Sequence, residues 1–566
     1  MQRFFLISIF WCICVAAYSQ QALFIPDTLN GTSINLRMHI DSVQFFPGKI
    51  TQTFAFNTNK YLGPTLILKK GDHITIHVKN EINDTTTLHW HGMHVPAIWD
   101  GGPHSQILNG QTWSPQFTVM NSASTFWYHP HFMGKTALQA IKGAVGLIIV
   151  RDDEEAALNL PRRYGVDDFP IIVQCKQFDS LNQAMPRGMQ DSTLIVNGVI
   201  NPFVNMPSQV IRMRLLNASG ERSFNFGFTN NKIFYVIGND GGLLKNSIST
   251  SRIRLSPGER AEILIDLSTM NGQSIYLKSY ASEIPVGVQG GPTMPMPPGS
   301  PPMNSPLNGI DFNILKINIV SATVNPVTVV PSVLASYTPY PESQAAVSRK
   351  ITMTPLDSLT MDGPFFFNDS SFDMMRIDYR IPLNNIEIWS ITNKSMVAHP
   401  FHIHDVQFYI LDRDGNLPPL AERGKKDVVL IEPNETVRFI TKFEDFADTT
   451  VPYMYHCHIL MHEDDGMMGQ FLVVPANSAG VKQIQTSQQE FTIYPNPATA
   501  QLLITTSLVQ NPTDLTVEIF DLKGLKMGNI NPQILSDKTI QIDISKLDDG
   551  MYFVKLNNKV TKFIKH

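Results

Sequence analysis

The stretch Tyr455–Gly469 reads YHCHILMHEDDGMMG. It gathers three histidines and a cysteine, in a chain with four cysteines among 566 residues. In an extended strand, residues i and i+2 face one side and residue i+1 faces the other. His456 and His458 therefore share a face, and the Cys457 sulfur points away from both. The triplet has to serve two different sites at once.

Three more His-x-His pairs follow the same rule: LHWHG (His89, His91), YHPHF (His129, His131) and FHIHD (His402, His404). Sixteen histidines scattered at random over this length would form only about half such a pair. In HPFHIH, His402 and His404 share a face. His399 stands an odd number of residues before His402 and is free to project elsewhere, toward Cys457. With His462 and Met467, these residues make a His-His-Cys set with a weak thioether, the ligand field of electron-transfer copper. Met468 competes for the thioether role. The eight paired histidines that remain suffice for a cluster of several copper ions. Structural zinc wants four ligands and does not account for this many. The two sites would lie on the order of 10 Å apart by chain reach, joined through the Cys457 backbone.

The rest of the chain is strand-patterned. Apolar and polar residues alternate in DHITIHVKN (72–80), QVIRMRLLN (209–217), RAEILIDL (260–267) and NIEIWSITN (385–393), with Gly, Pro and Asn between such runs. Helical periodicity is scarce. Three segments, near 68, 204 and 380, each place a polar turn before a strand ending in Asn. They read as one unit used three times, which points to repeated β-sandwiches or barrels. The apolar fraction of 43%, charged fraction of 16% and net charge of −5 describe a globular chain with no basic run. Nucleic-acid binding is thereby set aside.

The first residues, MQRFFLISIFWCICVAAYSQ, place Arg3 before an apolar run and an Ala17-Tyr18-Ser19 motif, a secretory signal over 1–19. That run is shorter than the roughly twenty apolar residues that span a bilayer, and no later stretch qualifies. Cys12 and Cys14 would leave with the signal. Cys175 follows the strand-like FPIIVQ and reads as a small buried hydrophobe. No disulfide framework is then possible.

With these motifs in hand, the chain resembles the multicopper oxidases of the three-domain laccase and copper-efflux-oxidase type. LHWHG, WYHPH, HPFHIH and HCHILMHEDDGMM stand in the family order, and the resemblance covers about residues 22–476. It implies an all-β fold: three cupredoxin-like Greek-key β-sandwich domains at 20–155, 156–322 and 345–476, with linkers at 323–344 and 477–490. It implies four copper ions. Type 1 copper falls to His399, Cys457, His462 and Met467, and type 2 to His89 and His402. The type 3 pair falls to His91, His129 and His458 on one ion and His131, His404 and His456 on the other. Asp100 and Glu463 match family acids that move protons during oxygen reduction, a task suited to carboxylates beside the cluster. LSPGERAEILIDL in the middle unit also looks familial, although that unit holds no predicted ligand. His39, His73, His77, His94, His104 and His566 match no motif.

The implied activity takes single electrons from a small-molecule or metal-ion reductant and reduces dioxygen to water. Copper-efflux oxidases carry an acid and a methionine four and two residues before the first type 1 histidine. Ser395 and Val397 stand there in this chain. That substitution favours laccase-like oxidation of phenols or aromatic amines. Met294, Met296 and Met303 in the Pro-rich stretch 290–306 support the alternative, oxidation of cuprous or other metal ions. A copper-free scaffold is a further alternative, known among relatives that have lost the ligands.

Residues 491–566, with FTIYPNPA and IDISKLDDGMYFVKL, resemble the C-terminal β-sandwich sorting domain of the type IX secretion system. The resemblance implies that machinery as a partner, and a protein released or held at the cell surface. A carbohydrate-binding or adhesive appendage is the other reading of this unit.

Overall fold

A computed structural model describes residues 20–57, 61–187, 190–293, 305–356, 364–476, 491–496, 498–506, 516–521, 525–528, 532–536, 539–556 and 559–565. The signal 1–19, the connector 477–490, His566 and the methionines Met294, Met296 and Met303 lie outside them. The chain divides into two units, Met1–Ala479 and Gly480–His566.

The larger unit holds three pairs of sheets, each pair closing on its own apolar core. In the first, Thr28–Asn30, Thr65–Lys69, Gly146–Arg151, Ser124–His129 and His89–His91 form one sheet. Thr51–Phe56, Ser33–Val43, His73–Glu81 and Thr112–Trp113 form the other. Alternation on His73–Glu81 sends Ile74, Ile76 and Val78 inward, where they meet Trp90, Phe126 and Tyr128. The middle pair of sheets packs around Val173, Met213, Leu215, Phe226 and Ile263. The third packs around Trp389, Phe401, Phe439, Tyr455 and Phe471. These are cupredoxin-like sandwiches, and the fold is all-β.

The threefold repeat read from the turns has a topological counterpart. His73–Glu81, Val210–Asn217 and Ile386–Asn393 each pair in parallel with an earlier strand of their unit: Ser33–Val43, Asp168–Lys176 and Val347–Pro355. On the other side each pairs antiparallel with a later strand: Gln116–Thr118, Arg260–Asp266 and Thr436–Lys442. One architectural position has thus been filled three times by one pattern. Gln21–Ala22 joins the middle sheet instead, beside Pro202 and Phe203, a long-range pairing that no local pattern announces.

Charge joins the first two sandwiches. Arg212 reaches Glu155 at 2.5 Å and also bonds Glu262, while Arg214 reaches Glu262 at 2.6 Å and Asp168 at 2.7 Å. All five side chains are buried, so each charge depends on its partners.

The smaller unit has a four-stranded sheet (Phe491–Tyr494, Gln501–Thr506, Thr539–Asp543, Gln533–Ser536) and a three-stranded one (Val517–Phe520, Gly550–Leu556, Lys559–Lys565). Leu502, Ile504, Ile519, Ile540, Ile542 and Val554 lie buried in its core. No helix among the described residues is long and apolar enough to cross a membrane.

Candidate metal centres

Register places the histidines. His89–His91 runs antiparallel to Ser124–His129, with Trp127 opposite His91 and His129 opposite His89. On this shared face the imidazoles lie together. Trp90 and Tyr128 turn the other way into the first core, where Tyr128 Oη donates to Pro64 O at 2.8 Å. In the third unit, His402 stands opposite His456 and Phe401 opposite Cys457. Paired residues in an antiparallel ladder share a face. His402 and His456 therefore look toward the first unit, and Cys457 looks into its own core.

Two triads result on the histidine side. Nδ1 of His91 lies 3.3 Å from both His129 Nε2 and His458 Nε2. Nε2 of His456 lies 3.2 Å from His131 Nε2 and 3.3 Å from His404 Nε2. His89 and His402 complete the set, and ligand atoms of His89, His91 and His402 come within 4.8 Å of one another. All eight rings are buried.

The tautomers follow from the outward partners. His129 Nδ1 donates to Pro130 O at 2.9 Å, His404 Nδ1 to Asp100 Oδ2 at 2.8 Å and His456 Nδ1 to Cys457 O at 3.0 Å. His89 Nδ1 donates to Asp100 O at 2.9 Å and His402 Nδ1 to Asp427 O at 2.8 Å. His91 Nε2 faces Asp427 Oδ1 at 3.2 Å. Each of these rings thus spends its proton outward and turns a bare lone pair inward. Lone pairs 3.3 Å apart repel, and His89 Nε2 and His402 Nε2 have no hydrogen-bond partner at all. Protonation does not relieve the repulsion. Burial, then the neighbouring rings, hold His91, His129, His131, His402 and His458 well below the usual histidine range, and His404 at about 3. A buried set of imidazoles that turn ring nitrogens inward fits soft or borderline divalent cations.

Besides Asp427, the carboxylates of Asp100 and Glu463 border these histidines. Asp100 binds His404, and its Oδ1 lies 3.4 Å from His89 Nδ1 with no hydrogen-bond partner of its own. Burial alone would push its carboxyl up, but His404 and His89 hold it below the usual carboxylate range. Glu463 stands 3.3 Å from His131 Nδ1 and 3.1 Å from His456 Nδ1.

On the other face, Cys457 Sγ lies 3.6 Å from Nδ1 of both His399 and His462. Burial pushes this thiol well up, so a thiolate there needs a cation beside it. His399 Nε2 meets Ser395 Oγ at 2.8 Å, which directs its Nδ1 toward the sulfur. Met467 ties the loop: its N–H donates to His462 O at 2.8 Å and its carbonyl accepts from Cys457 N at 3.1 Å. It belongs to the same core as Cys457. Met468 stands opposite His456 and packs with Phe372 and Met454. Phe365 lies 4.6 Å from the His399 ring and 4.5 Å from His462.

Sequence reasoning missed Asp427, Arg260, Gly258 and Trp127. Asp427 contacts His91 and His402. Arg260 binds Asp427, and the Trp127 ring lies tilted by 31° at 4.2 Å from that of His129. Gly258 has φ of +87°, and a Cβ there would come within 2.9 Å of the His458 ring. The quoted run LSPGER contained two of these residues, but only the fold brings them to the cavity. Among the unmatched histidines, His77 bonds Ser114 at 2.9 Å and His104 bonds Gln470 at 2.8 Å. His94 bridges Asp405 and Asp445.

Comparison with known proteins agrees with this chemistry. The multicopper oxidase family profile matches residues 39–155 and again 346–477. A secretion system C-terminal sorting domain matches 492–566. A multicopper oxidase of Staphylococcus haemolyticus is 37% identical over 448 residues, 77% of this chain and 88% of its own. The cell division protein FtsP of Xenorhabdus nematophila is 32% identical over 421 residues, 74% and 84% of the two chains. The solved structure of a laccase-like multicopper oxidase from Ochrobactrum sp., with activity towards lignin model compounds, is 32% identical. It superposes with a TM-score of 0.70, over 80% of this chain and all of that one (100%).

Proposed function

The chain belongs to the multicopper oxidase family and is a copper-dependent oxidoreductase, and from that premise we propose a secreted, laccase-like enzyme carrying four copper ions. His399, Cys457, His462 and Met467 would hold the type 1 ion, and His89 and His402 the type 2 ion. His91, His129 and His458 would hold one type 3 ion, and His131, His404 and His456 the other. Copper bound there supplies one-electron uptake at the thiolate site and reduction of dioxygen to water at the histidine-lined site. The observation that carries this reading is the two facing pairs of bare nitrogens, His91 Nδ1 with His129 Nε2 and His404 Nε2 with His456 Nε2, whose repulsion a cation removes.

The chain's own residues supply the rest. Cys457 shares peptide bonds with His456 and His458, so the two sites are covalently linked. Ser395, Asp100 and the backbone carbonyls of Asp427, Pro130 and Cys457 fix the ring tautomers. Phe365 covers both type 1 imidazoles and excludes water. Reduction of dioxygen to water consumes protons, and Asp100 Oδ1 and the Glu463 carboxylate are placed to hold them. His462 is 6% exposed and His399 is fully enclosed at 0%, which favours His462 as the edge a donor reaches.

Phenols or aromatic amines are the proposed donors. Ser395 is buried and committed to His399, and Val397 is buried beside it. Neither offers the acid and thioether that would hold cuprous ion, so oxidation of Cu(I) or another metal ion is the second reading. Oxygen uptake with a phenolic dye and with Cu(I), before and after deletion of 290–306, separates the two. A loss confined to Cu(I), from a parent that prefers Cu(I), reverses the order. A copper-free scaffold role is disfavoured because every ligand position is filled, although a cell division protein, FtsP, is among the relatives. The C-terminal unit supports export by type IX secretion, with release or surface attachment. Mass spectrometry of the exported protein tests this, since an adhesive appendage would stay on the chain and a sorting domain would be removed.

A further inference from the structure

We infer that Arg260, from the middle sandwich, is a positioning residue of the histidine-lined cavity, acting through Asp427. The inference rests on the copper-binding reading above. Arg260 opens the strand Arg260–Asp266 and is fully buried. All five of its N–H groups are spent. Nη1 and Nη2 each meet one oxygen of the Asp427 carboxylate at 2.6 Å. The other three donate to backbone carbonyls, of Thr125 at 3.1 Å, Gly258 at 3.1 Å and Asp240 at 2.8 Å. These carbonyls come from the first unit and from two loops of the middle one, so the guanidinium is held from several sides. It cannot rotate without losing several bonds.

The clamped residue in turn holds two ligands by different atoms. The Asp427 carboxylate lies 3.2 Å from His91 Nε2, and its carbonyl accepts from His402 Nδ1 at 2.8 Å. The first contact leaves His91 presenting Nδ1 to His129 and His458, and the second leaves His402 presenting Nε2. Space is as tight as the hydrogen bonding. A Cβ on Gly92 would sit 2.3 Å from Asp427 Oδ2 and 2.7 Å from Arg260 Nη2. Gly258, whose carbonyl Arg260 holds, lies against His458. The middle sandwich contributes no histidine, yet through Arg260 and Asp427 it sets the direction of two rings, and its Gly258 abuts a third. A planar five-donor fork is required, and lysine, a three-donor point charge, cannot replace it.

A purely architectural ion pair between sandwiches would look similar, so the test needs readouts that looser packing does not move. Full-length, copper-loaded Arg260→Lys is compared with wild type and with Arg212→Lys. The latter loosens another buried ion network of the middle unit, bonded to Glu155 and Glu262. In Arg260→Lys, the type 2 electron paramagnetic resonance signal should change, and a chelator should remove cluster copper about 10–100-fold faster. The blue absorbance of the Cys457 site should stay, reporting an intact third sandwich. Arg212→Lys should leave signal and release rate at wild-type values. If Arg260→Lys is recovered only as aggregate, Arg260→Met combined with Asp427→Asn removes both charges of the pair together, leaves Asp240 its ion pair with Lys426, and carries the same expectation. Unchanged signal and release in the Arg260 variant, or an equal change in Arg212→Lys, overturns the inference. Wild type that takes up no copper overturns the copper reading itself, a separately readable result.

Discussion

Ser395 Oγ lies 2.8 Å from His399 Nε2 and likewise 2.8 Å from Asn393 Oδ1 and Val397 O, the two acceptors that share its single proton. One small hydroxyl closes the edge of the His399 imidazole and anchors the loop before it. Replacing Ser395 by Asp together with Val397 by Met should raise the ratio of Cu(I) to phenol turnover by about tenfold, because a hard and a soft ligand then flank the ring. Rates on both donors check it. An unchanged ratio would count against the assignment of donor preference to this loop.

Cys457→Ser removes the sulfur that lies 3.6 Å from both His399 and His462. Blue absorbance should vanish and phenol oxidation should fall by more than about 100-fold, while copper at the histidine side remains. Copper counting with visible spectroscopy follows both. Loss of all copper would mean that the two sites do not load independently.

Asp100 receives Nδ1 of His404, and its other oxygen stands beside His89. Asp100→Asn keeps the shape and removes the ionisable group. Oxygen uptake should drop by about 100-fold or more with copper content kept, as for a lost proton carrier. Full activity in the variant would reassign the proton path to Glu463.

His94 gives a pH dependence. Burial opposes its charge, but Asp405 at 2.7 Å and Asp445 at 3.1 Å raise its titration to about 9. A histidine whose folded value exceeds its unfolded one, about 6.5, adds stability below that unfolded value. The contribution is lost as pH rises through the folded value. Wild type should therefore lose on the order of 1 kcal/mol more than His94→Gln between pH 6.5 and 9. Urea unfolding across that window measures it, and parallel curves would exclude the charged pairing.

The ion network between the first two sandwiches should be fragile to loss of one partner. Glu262→Ala leaves Arg212 and Arg214 buried with fewer counter-charges and should cost about 3–5 kcal/mol. Thermal unfolding tests this, and a change under about 1 kcal/mol would mean that water enters the network.

How much of this was legible in the chain depends on range. Strand alternation is local, so the opposite facing of Cys457 and its two histidines could be read from three letters, as could the shared face of His89 and His91. The repeated turn-and-strand pattern carried the sandwich class. Asp427 and Arg260 were not legible, since they meet across 167 positions and neither stands in a metal-ligand pattern. The sequence left Met468 competing with Met467, the methionine nearer the turn at EDDG (463–466). In the structure their separation rests on the register of Tyr453–Cys457 against Met468–Val474, which sets Met468 opposite His456. The pairing of Gln21–Ala22 with the middle sheet likewise has no local signature.

The central claim is that the inward lone pairs and the buried thiol exist to hold copper that reduces dioxygen. The most direct measurement is the copper content and visible spectrum of purified full-length protein after loading, with oxygen uptake on a phenolic donor in the same sample. The account predicts four copper ions per chain, one of them blue, and oxygen consumption that follows the blue fraction. A colourless protein that binds no copper and consumes no oxygen would contradict it.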